Sequence, residues 1–300
     1  MVSLPLTETR HEVFFRDSRD MGCLKDRSIQ LVVTSPPYPM IEMWDPLFER
    51  MDGRIAELMS EIASSEGDAS FQAASAYELM HKQLAKVWRE CYRVLCQGGI
   101  ACINIGDATR TLNGRFRLYP NHAKVIEHCE RIGFVTLPFI VWKKPTNKPN
   151  AFLGSGFLPT NGYVTQDFEH ILIFRKGDTR RFPPKDAVRY SSSFTKAQRD
   201  VWFSQAWSIH GAAQALGKTR RRSAAFPEEI PRRLIQMFSL IGDTVLDPFL
   251  GTGTTAKVAG ELTRNSVGFE FDSALRATIC EKLGSPTLDL MDRVEFTRAS

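Results

Sequence analysis

Residues 244–262, TVLDPFLGTGTTAKVAGEL, place a short apolar strand, a glycine-containing turn and a helix in immediate succession. Gly251 and Gly253 allow the backbone to turn tightly and to approach a ligand closely. The helix that begins after them directs its free N–H groups toward that ligand. This order predicts an α/β fold with a ligand site at the carboxyl end of the strand.

An acidic residue stands at the end of the next predicted strand. Glu270, in GFEFD, lies seventeen residues after Gly253, where a carboxylate can accept hydrogen bonds from both hydroxyls of a ribose. The pattern therefore predicts a site for an adenosine-containing cofactor. The turn G-T-G-T-T-A nearly fits the dinucleotide pattern as well, but Asp247 suits a cofactor with an ammonium and a sulfonium better than one with a pyrophosphate.

Strand and helix patterns alternate through the rest of the chain, which predicts a mostly parallel sheet with helices on its faces. The apolar runs predict strands at 29–34, 100–105, 134–142, 169–174, 244–246 and 267–270, and helices at 76–96, 120–132 and 227–240. We expect Gly98-Gly99 to stop the first helix and Gly133 to stop the second. Two segments interrupt the alternation: a helical insert at 39–75 with an acidic part at 61–70, and a basic, proline-rich stretch at 143–223.

The strand at 29–34 ends in a second unusual turn, Thr34-Ser35-Pro36-Pro37-Tyr38. The two prolines fix the backbone and remove two N–H donors, so a hydroxyl, several carbonyls and an aromatic ring remain to face a ligand. Such an acceptor-rich pocket can hold an amino group by its hydrogens. The alternative is a rigid strand-to-loop turn capped by Tyr38.

Composition sets the broad class. The 300 residues carry a formal net charge of +5, a mild basic excess that is compatible with a polyanionic partner without establishing one. The six cysteines form no C-x-x-C pair and the six histidines show no ligand spacing, so we expect no metal. Neither a signal peptide nor a membrane-spanning apolar run is recognisable, which predicts a soluble, cytoplasmic protein.

Taken together, the two turns resemble the amino-methyltransferases of DNA, in the permuted class whose catalytic motif precedes the cofactor motif. Thr34–Tyr38 resembles the family's S/D/N-P-P-Y/F/W motif, and Asp247–Thr255 resembles its D-P-F-x-G-x-G-T motif. Asp17, in FFRDSRDM, resembles the acidic residue that contacts the adenine of the cofactor. The stretches VWRECYRVLCQGG and FPEEIPRRLI also resemble family segments, although the second lacks the usual His and Lys.

The resemblance implies a Rossmann-like methyltransferase that uses S-adenosyl-L-methionine, with a mostly parallel seven-stranded sheet and a small target-recognition region. It divides the chain into a catalytic domain at 1–142 and 224–300 and a recognition region at 143–223. The implied catalytic residues are Ser35, Pro36, Pro37 and Tyr38. The implied cofactor-binding residues are Asp17, Thr34, Asp247, Pro248, Phe249, Gly251, Gly253, Thr254, Thr255, Glu270 and Asp272. The candidate DNA-binding residues of the basic stretch are Arg180, Arg181, Arg220, Arg221 and Arg222.

Ser35 decides the expected target base. Family members with Ser before Pro-Pro-Tyr mostly methylate cytosine N4, and those with Asp or Asn mostly methylate adenine N6, which remains the alternative. Methylation at cytosine carbon 5 needs a cysteine nucleophile, and the chain has no Pro-Cys dipeptide. A nicotinamide-dependent oxidoreductase and an RNA target are more distant alternatives. The expected partners are duplex DNA and a cognate restriction endonuclease, with the enzyme as monomer or homodimer.

Overall fold

A computed structural model describes residues 8–144, 153–154, 159–160, 162–164, 166–210 and 226–298. Its strands are β1 (Thr9–Phe14), β2 (Ile29–Thr34), β3 (Leu95–Ile105), β4 (Ala108–Leu112), β5 (Arg115–Tyr119), β6 (Phe134–Lys143), β7 (Leu153–Gly154), β8 (Gly162–Tyr163), β9 (Phe168–Lys176), β10 (Ala206–Ser208), β11 (Thr244–Asp247), β12 (Asn265–Phe269), β13 (Leu288–Leu290) and β14 (Arg293–Arg298). Its α-helices are α1 (Asp45–Met51), α2 (Gly53–Ser64), α3 (Ser70–Val94), α4 (Asn121–Ile132), α5 (Ala187–Ser191), α6 (Lys196–Trp202), α7 (Glu229–Phe238), α8 (Thr254–Glu261) and α9 (Arg276–Leu283).

One large sheet organises the molecule, in the order β10-β6-β9-β3-β2-β11-β12-β1-β14-β13. Five of its nine neighbouring strand pairs are parallel, which confirms the predicted α/β fold with a mostly parallel sheet. The predicted strand number of seven was too low for the whole sheet of ten. The additional strands β10, β13 and β14 lie at the margins, where short or charge-rich strands give no continuous apolar signal.

Helices cover both faces of the sheet and bury separate apolar clusters. On one face, α3 and α4 pack against the sheet with side chains such as Trp88 and Val125. On the other face, α7 and α8 pack through side chains such as Leu234 and Val258. The two clusters lie on the faces of the sheet, and its carboxyl edge carries the candidate site. No helix in the described parts of the chain has the length and apolar character needed to cross a membrane.

The long helix α3 differs from its predicted bounds at both ends. It begins at Ser70 rather than 76 and ends at Val94. Gly98-Gly99 does not stop it, because both glycines lie inside β3. Gly98 has a left-handed φ of +74°, and a Cβ there would come within 2.3 Å of the Arg180 backbone nitrogen. The glycines therefore permit a close crossing of two backbone segments, whereas Gly133 caps α4 with φ +115°, as predicted.

The segment 39–75 contains α1, α2 and the first turn of α3, as the predicted helical insert requires. Its acidic part contacts a hairpin, β4–β5, which the sequence patterns did not reveal. Asn113 and Gly114 both have positive φ at the hairpin tip, the geometry that Asn-Gly favours in a two-residue turn. The Asn113 amide donates to the carbonyls of Ile62 and Ser65, both at 3.1 Å, and so ties the hairpin to the insert.

Candidate active site

The candidate site lies at the carboxyl edge of the sheet, where β2, β3, β11 and β12 run parallel and end together. Strand β9 is antiparallel to β3 and therefore begins at the same edge. Both turns identified in the sequence leave the sheet here, one after β2 and one after β11. The topology thus brings together residues that are more than 200 positions apart.

Asp247 connects the two turns. Its buried carboxylate accepts hydrogen bonds from the Thr34 hydroxyl at 2.6 Å and the Thr255 hydroxyl at 2.7 Å. The backbone N–H of Phe249 donates to it at 3.1 Å. Burial raises the pKa of Asp247 to about 6, although these hydrogen bonds oppose the shift. The two hydroxyls and the N–H that donate to this carboxylate are neutral. They hold it in place without cancelling its negative charge, which can attract a positively charged ligand.

Glu270 occupies the end of β12 and faces the glycine turn. Its carboxylate accepts hydrogen bonds from the backbone N–H of Gly251 at 2.8 Å and of Asp272 at 2.7 Å. Burial raises the pKa of Glu270 to about 7, while the two backbone donors lower it. Each carboxylate oxygen keeps a further lone pair for a ligand hydroxyl.

The turn between β11 and α8 has the conformation that its glycines predict. Gly251 has φ +55° and Gly253 has φ +84°, and a Cβ at Gly251 would meet no atom of the described residues within 4 Å. The open space beside Gly251 is the kind of cradle that a bound cofactor needs. Pro248 and Phe249 lead into the turn, and the Phe249 ring packs against Trp88 at 5.9 Å. Thr254 and Thr255 begin α8.

Asp17 also lies near this edge, because it follows the carboxyl end of β1, the strand that pairs with β12. Its carboxylate accepts hydrogen bonds from the Arg19 guanidinium at 2.6 and 2.8 Å. Arg19 in turn donates to the backbone carbonyl of Met51 at 2.8 Å. The structure thus places Asp17 at the same edge of the sheet as the glycine turn, with a basic partner already bound.

The second turn is surrounded by polar side chains that sequence reasoning missed. The Tyr38 hydroxyl donates to the Glu169 carboxylate at 2.9 Å and accepts from the Asn104 amide at 2.8 Å. The Ser35 and Tyr38 hydroxyl oxygens are 3.1 Å apart, and the Lys144 ammonium bonds to Glu169. Asn104 and Glu169 stand at the edge-proximal ends of two apolar strands, which is the one sequence signal that could have identified them.

Gly106 lets this cluster close around the tyrosine. A Cβ at Gly106 would lie 3.0 Å from the Tyr38 ring and 3.2 Å from Cγ of Glu169. Burial raises the pKa of the Tyr38 phenol well above its usual range, and the Glu169 carboxylate adds to the shift. The phenol is therefore protonated at neutral pH and serves as a hydrogen-bond donor.

Arg180 differs from its predicted role. Its guanidinium donates to the Asp243 carboxylate at 2.6 and 3.1 Å. Asp243 precedes β11, so this pair lies at the amino edge of the sheet, opposite the candidate site. Arg180 is therefore corrected to a structural ion-pair partner, and its neighbour Arg181 lies in the same loop. The predicted DNA-binding residues Arg220, Arg221 and Arg222 lie outside the described residues.

Two histidines that are far apart in sequence meet beside the site. The His122 and His170 rings stack at 4.0 Å with an interplanar angle of 22°, and the Asp107 carboxylate bonds to Nδ1 of His122 at 2.8 Å. These three groups could supply ligands to a metal ion.

The sheet thus carries two linked turns at its carboxyl edge, one after β2 and one after β11. Residues 29–280 match the family model described as DNA methylase, and the chain belongs to that family. It is 60% identical over 286 residues to the type II methyltransferase M.MjaI of Methanocaldococcus jannaschii, and the match covers 95% of this chain and 94% of that protein. It is 45% identical to M.MthZI of Methanothermobacter thermautotrophicus, over 97% of this chain and 81% of the relative.

Solved structures agree with the fold. A DNA modification methylase from Thermus thermophilus, TTHA0409, in complex with S-adenosyl-L-methionine, superposes with a TM-score of 0.69 at 29% identity, covering 91% of this chain and 92% of that one. The cytosine-N4-specific PvuII DNA methyltransferase superposes with a TM-score of 0.63 at 17% identity, covering 94% and 89%. Family membership excludes the oxidoreductase considered from the glycine turn alone.

Proposed function

We propose that this DNA methyltransferase transfers a methyl group from S-adenosyl-L-methionine to N4 of cytosine in duplex DNA, within a type II restriction-modification system. The observation that supports methyl transfer to an amino group is the hydrogen-bond direction around Ser35. The Glu169 carboxylate only accepts, so Tyr38 donates to it and Ser35 donates to Tyr38. The Asn104 amide donates a long hydrogen bond to the Ser35 oxygen at 3.5 Å, and the second lone pair of that oxygen remains to accept a hydrogen from the amino group of the target base.

The cofactor site fits S-adenosyl-L-methionine by the chemistry of its acceptors. Asp247 offers a buried carboxylate to a cationic group, and Glu270 offers two oxygens to a pair of hydroxyls. When bound, the cofactor supplies an electrophilic methyl group on a sulfonium. Pro248, Phe249 and Asp272 complete the proposed cofactor wall, with Asp17 at its rim.

The proposed catalytic work of the chain consists of positioning. The exocyclic nitrogen is a poor nucleophile because its lone pair is delocalised into the ring. Hydrogen bonds from the amino group to Ser35 and to the Pro36 carbonyl direct that lone pair out of the base plane, and in-line placement lowers the barrier. The base must leave the duplex to reach this edge, at a cost of a few kcal/mol. Stacking on Tyr38 returns about 1–3 kcal/mol.

Serine rather than aspartate before Pro-Pro-Tyr supports cytosine over adenine, and adenine N6 is the second candidate. A neutral hydroxyl whose proton is committed to Tyr38 gives the target amino group one weak, uncharged acceptor. Because cytosine and adenine both present an amino group, other residues of the pocket have to distinguish the two bases. The cytosine proposal thus depends on the family resemblance at position 35.

We further propose that DNA lies across the carboxyl edge and contacts the β4–β5 hairpin. The hairpin follows directly from β3 at this edge and presents Arg115 and Arg117, both exposed. Arg115 is also paired with the exposed carboxylate of Asp68 at 2.7 Å. The other face of the hairpin carries Phe116, which stacks on Tyr163 of the recognition region at 4.6 Å. Arginines at such a position can bind phosphates. Arg180 is not included in this surface, and a cognate endonuclease would recognise the same DNA sequence.

In the experiment, the chain is expressed in a bacterial host that lacks its own DNA methylation. Host DNA is then examined by nucleoside analysis and single-molecule sequencing. We expect N4-methylcytosine at one short recurring sequence, and at least about a 100-fold loss with Ser35→Ala. N6-methyladenine at such a sequence would replace the cytosine assignment. If the protein folds and binds the cofactor but the host DNA contains no methylated base, the proposal is refuted.

A further inference from the structure

We infer that Ser35, Tyr38 and Glu169 form a proton relay that carries the displaced amino proton of the target base to the Glu169 carboxylate. This inference rests on the proposed amino-methyl transfer and holds for either base. It assigns a role to Glu169, which lies outside both recognised motifs.

The relay is directional in the structure. Ser35 and Tyr38 oxygens are 3.1 Å apart, and the Tyr38 hydroxyl donates to Oε2 of Glu169 at 2.9 Å. The Asn104 amide donates to Tyr38 at 2.8 Å and to the same Glu169 oxygen at 2.6 Å, which fixes both groups. Tyr38 thus accepts from Ser35 and Asn104 and donates its single hydroxyl proton to Glu169. Both O–H bonds of the relay therefore point away from the substrate and toward the carboxylate.

Chemistry requires a proton acceptor at this place. When the amino nitrogen gains a methyl group it carries one hydrogen too many, and a serine hydroxyl cannot retain that proton because a protonated alcohol is a strong acid. In the relay, the amino proton passes to the Ser35 oxygen, the serine proton to the Tyr38 oxygen and the tyrosine proton to Glu169. One N–H bond breaks and one carboxyl O–H bond forms, while serine and tyrosine each exchange one O–H bond for another.

Polar and charged groups from several elements surround Glu169. The Lys144 ammonium, from the residue after β6, bonds to the other carboxylate oxygen, and the Lys144 side chain is 40% exposed. Tyr38 faces the carboxylate from the turn after β2, and Asn104 faces it from β3. His170 is the nearest ring on β9 itself and points to the opposite face of the sheet, because side chains alternate along a strand.

The raised pKa of the Tyr38 phenol agrees with this role, because a phenol that stays protonated can pass a proton on but cannot keep the charge. Glu169 does not touch the base, so it acts through Tyr38 and Ser35. A merely structural Glu169 would hold the tyrosine in place, and the amide of glutamine could do the same.

The test compares wild-type enzyme with Glu169→Gln, Glu169→Ala, Tyr38→Phe and the surface control Glu127→Gln in single-turnover methyl transfer from pH 6 to 9. We expect the relay variants to lose about 100-fold in rate, a typical contribution of proton transfer. Added formate should restore part of the rate of Glu169→Ala only, and affinities for cofactor and DNA should stay within about twofold.

Two results would overturn the relay. One is a Glu169→Gln enzyme with the wild-type rate. The other is a rate loss without formate rescue that is matched by lost DNA affinity and a lower melting temperature. The methylated nucleoside from the wild-type reactions is identified in parallel. Methyladenine there would overturn the cytosine assignment, and the relay would still be tested by the transfer rates of the variants.

Discussion

The hydroxyl of Thr34 donates a 2.6 Å hydrogen bond to the carboxylate of Asp247, across 213 positions of sequence. Thr34 immediately precedes Ser35 of the proposed amino-binding turn, and Asp247 begins the proposed cofactor turn. One buried bond therefore sets the distance between the nucleophile site and the methyl-donor site. Because a small displacement of reacting groups is costly in rate, this bond is a sensitive point for mutation.

Thr34→Val should reduce both the affinity for the cofactor and the rate of methyl transfer. The variant keeps the shape of threonine but removes a hydrogen bond to a charged group, so we expect about a 10-fold loss in cofactor affinity and a further loss in methyl-transfer rate. Calorimetric titration with S-adenosyl-L-methionine measures the first effect. Thr136→Val is the matched control, since that hydroxyl bonds to Glu130 at the surface. Unchanged affinity and rate in Thr34→Val would contradict the coupling.

Asp247→Asn should stabilise the protein without its cofactor while impairing cofactor binding. Burial raises the pKa of Asp247 from 3.8 to about 6, so the fold prefers the protonated carboxyl. That preference stabilises the fold fully below about pH 4 and is lost as the pH rises through 6. Asparagine avoids the loss, and its advantage should grow between pH 4 and 6 to at most about 3 kcal/mol.

Urea unfolding at pH 4.5 and pH 8 measures this difference. The exposed Asp292 provides the control, since Asp292→Asn should change stability little at either pH. An Asp247→Asn protein that is less stable than wild type at pH 8 would show that ionisation of the carboxylate does not strain the fold.

Cofactor affinity should depend on the ionisation of Glu270. Burial raises the pKa of Glu270 to about 7, and the ionised carboxylate is the better acceptor for two hydroxyls. We expect the dissociation constant for S-adenosyl-L-methionine to increase as the pH falls from 8 to 6. Glu270→Gln should bind about 10-fold more weakly at pH 8 and lose most of this dependence. Glu281→Gln, at an exposed site on α9, should keep the wild-type curve, and a flat wild-type curve would argue against the assigned role.

The hairpin arginines should contribute to DNA binding through phosphates. Replacing Arg115 and Arg117 by alanine should weaken affinity for duplex DNA of any sequence and lower the slope of log affinity against log salt by about 2. Arg131→Ala is the control, because Arg131 is 70% exposed but lies at the far end of α4, toward the amino edge. Equal slopes for the double variant and the control would exclude the hairpin from the DNA surface.

Those parts of the fold that have a local cause could be predicted from the sequence. The apolar run of β2, the left-handed cap at Gly133 and the succession of strand, glycine turn and helix around Gly251 can each be recognised within a short window. Strands β1 and β14, TRHEVF and RVEFTR, carry charged residues among their apolar ones and lack such a signal. The prediction for Gly98-Gly99 was wrong because the close approach of the Arg180 backbone, which requires the glycine, comes from a distant segment.

The same distinction applies to the site. Ser35, Asp247 and Glu270 belong to turns whose neighbours in sequence reveal their purpose. Asn104 and Glu169 meet only because β3 and β9 pair antiparallel with Ile105 opposite His170. The role predicted for Arg180 followed from the basic character of its segment, which does not indicate at which edge of the sheet the segment lies.

Our main proposal is that the two linked turns form one site, which methylates the exocyclic amino group of cytosine in DNA. Its most direct test incubates purified protein with labelled S-adenosyl-L-methionine and mixed-sequence duplex DNA, then digests the DNA and identifies the labelled nucleoside by mass spectrometry. We expect label in N4-methylcytosine. Label in N6-methyladenine would contradict the assignment based on Ser35, and label in 5-methylcytosine or in no nucleoside would contradict amino methylation by this site altogether.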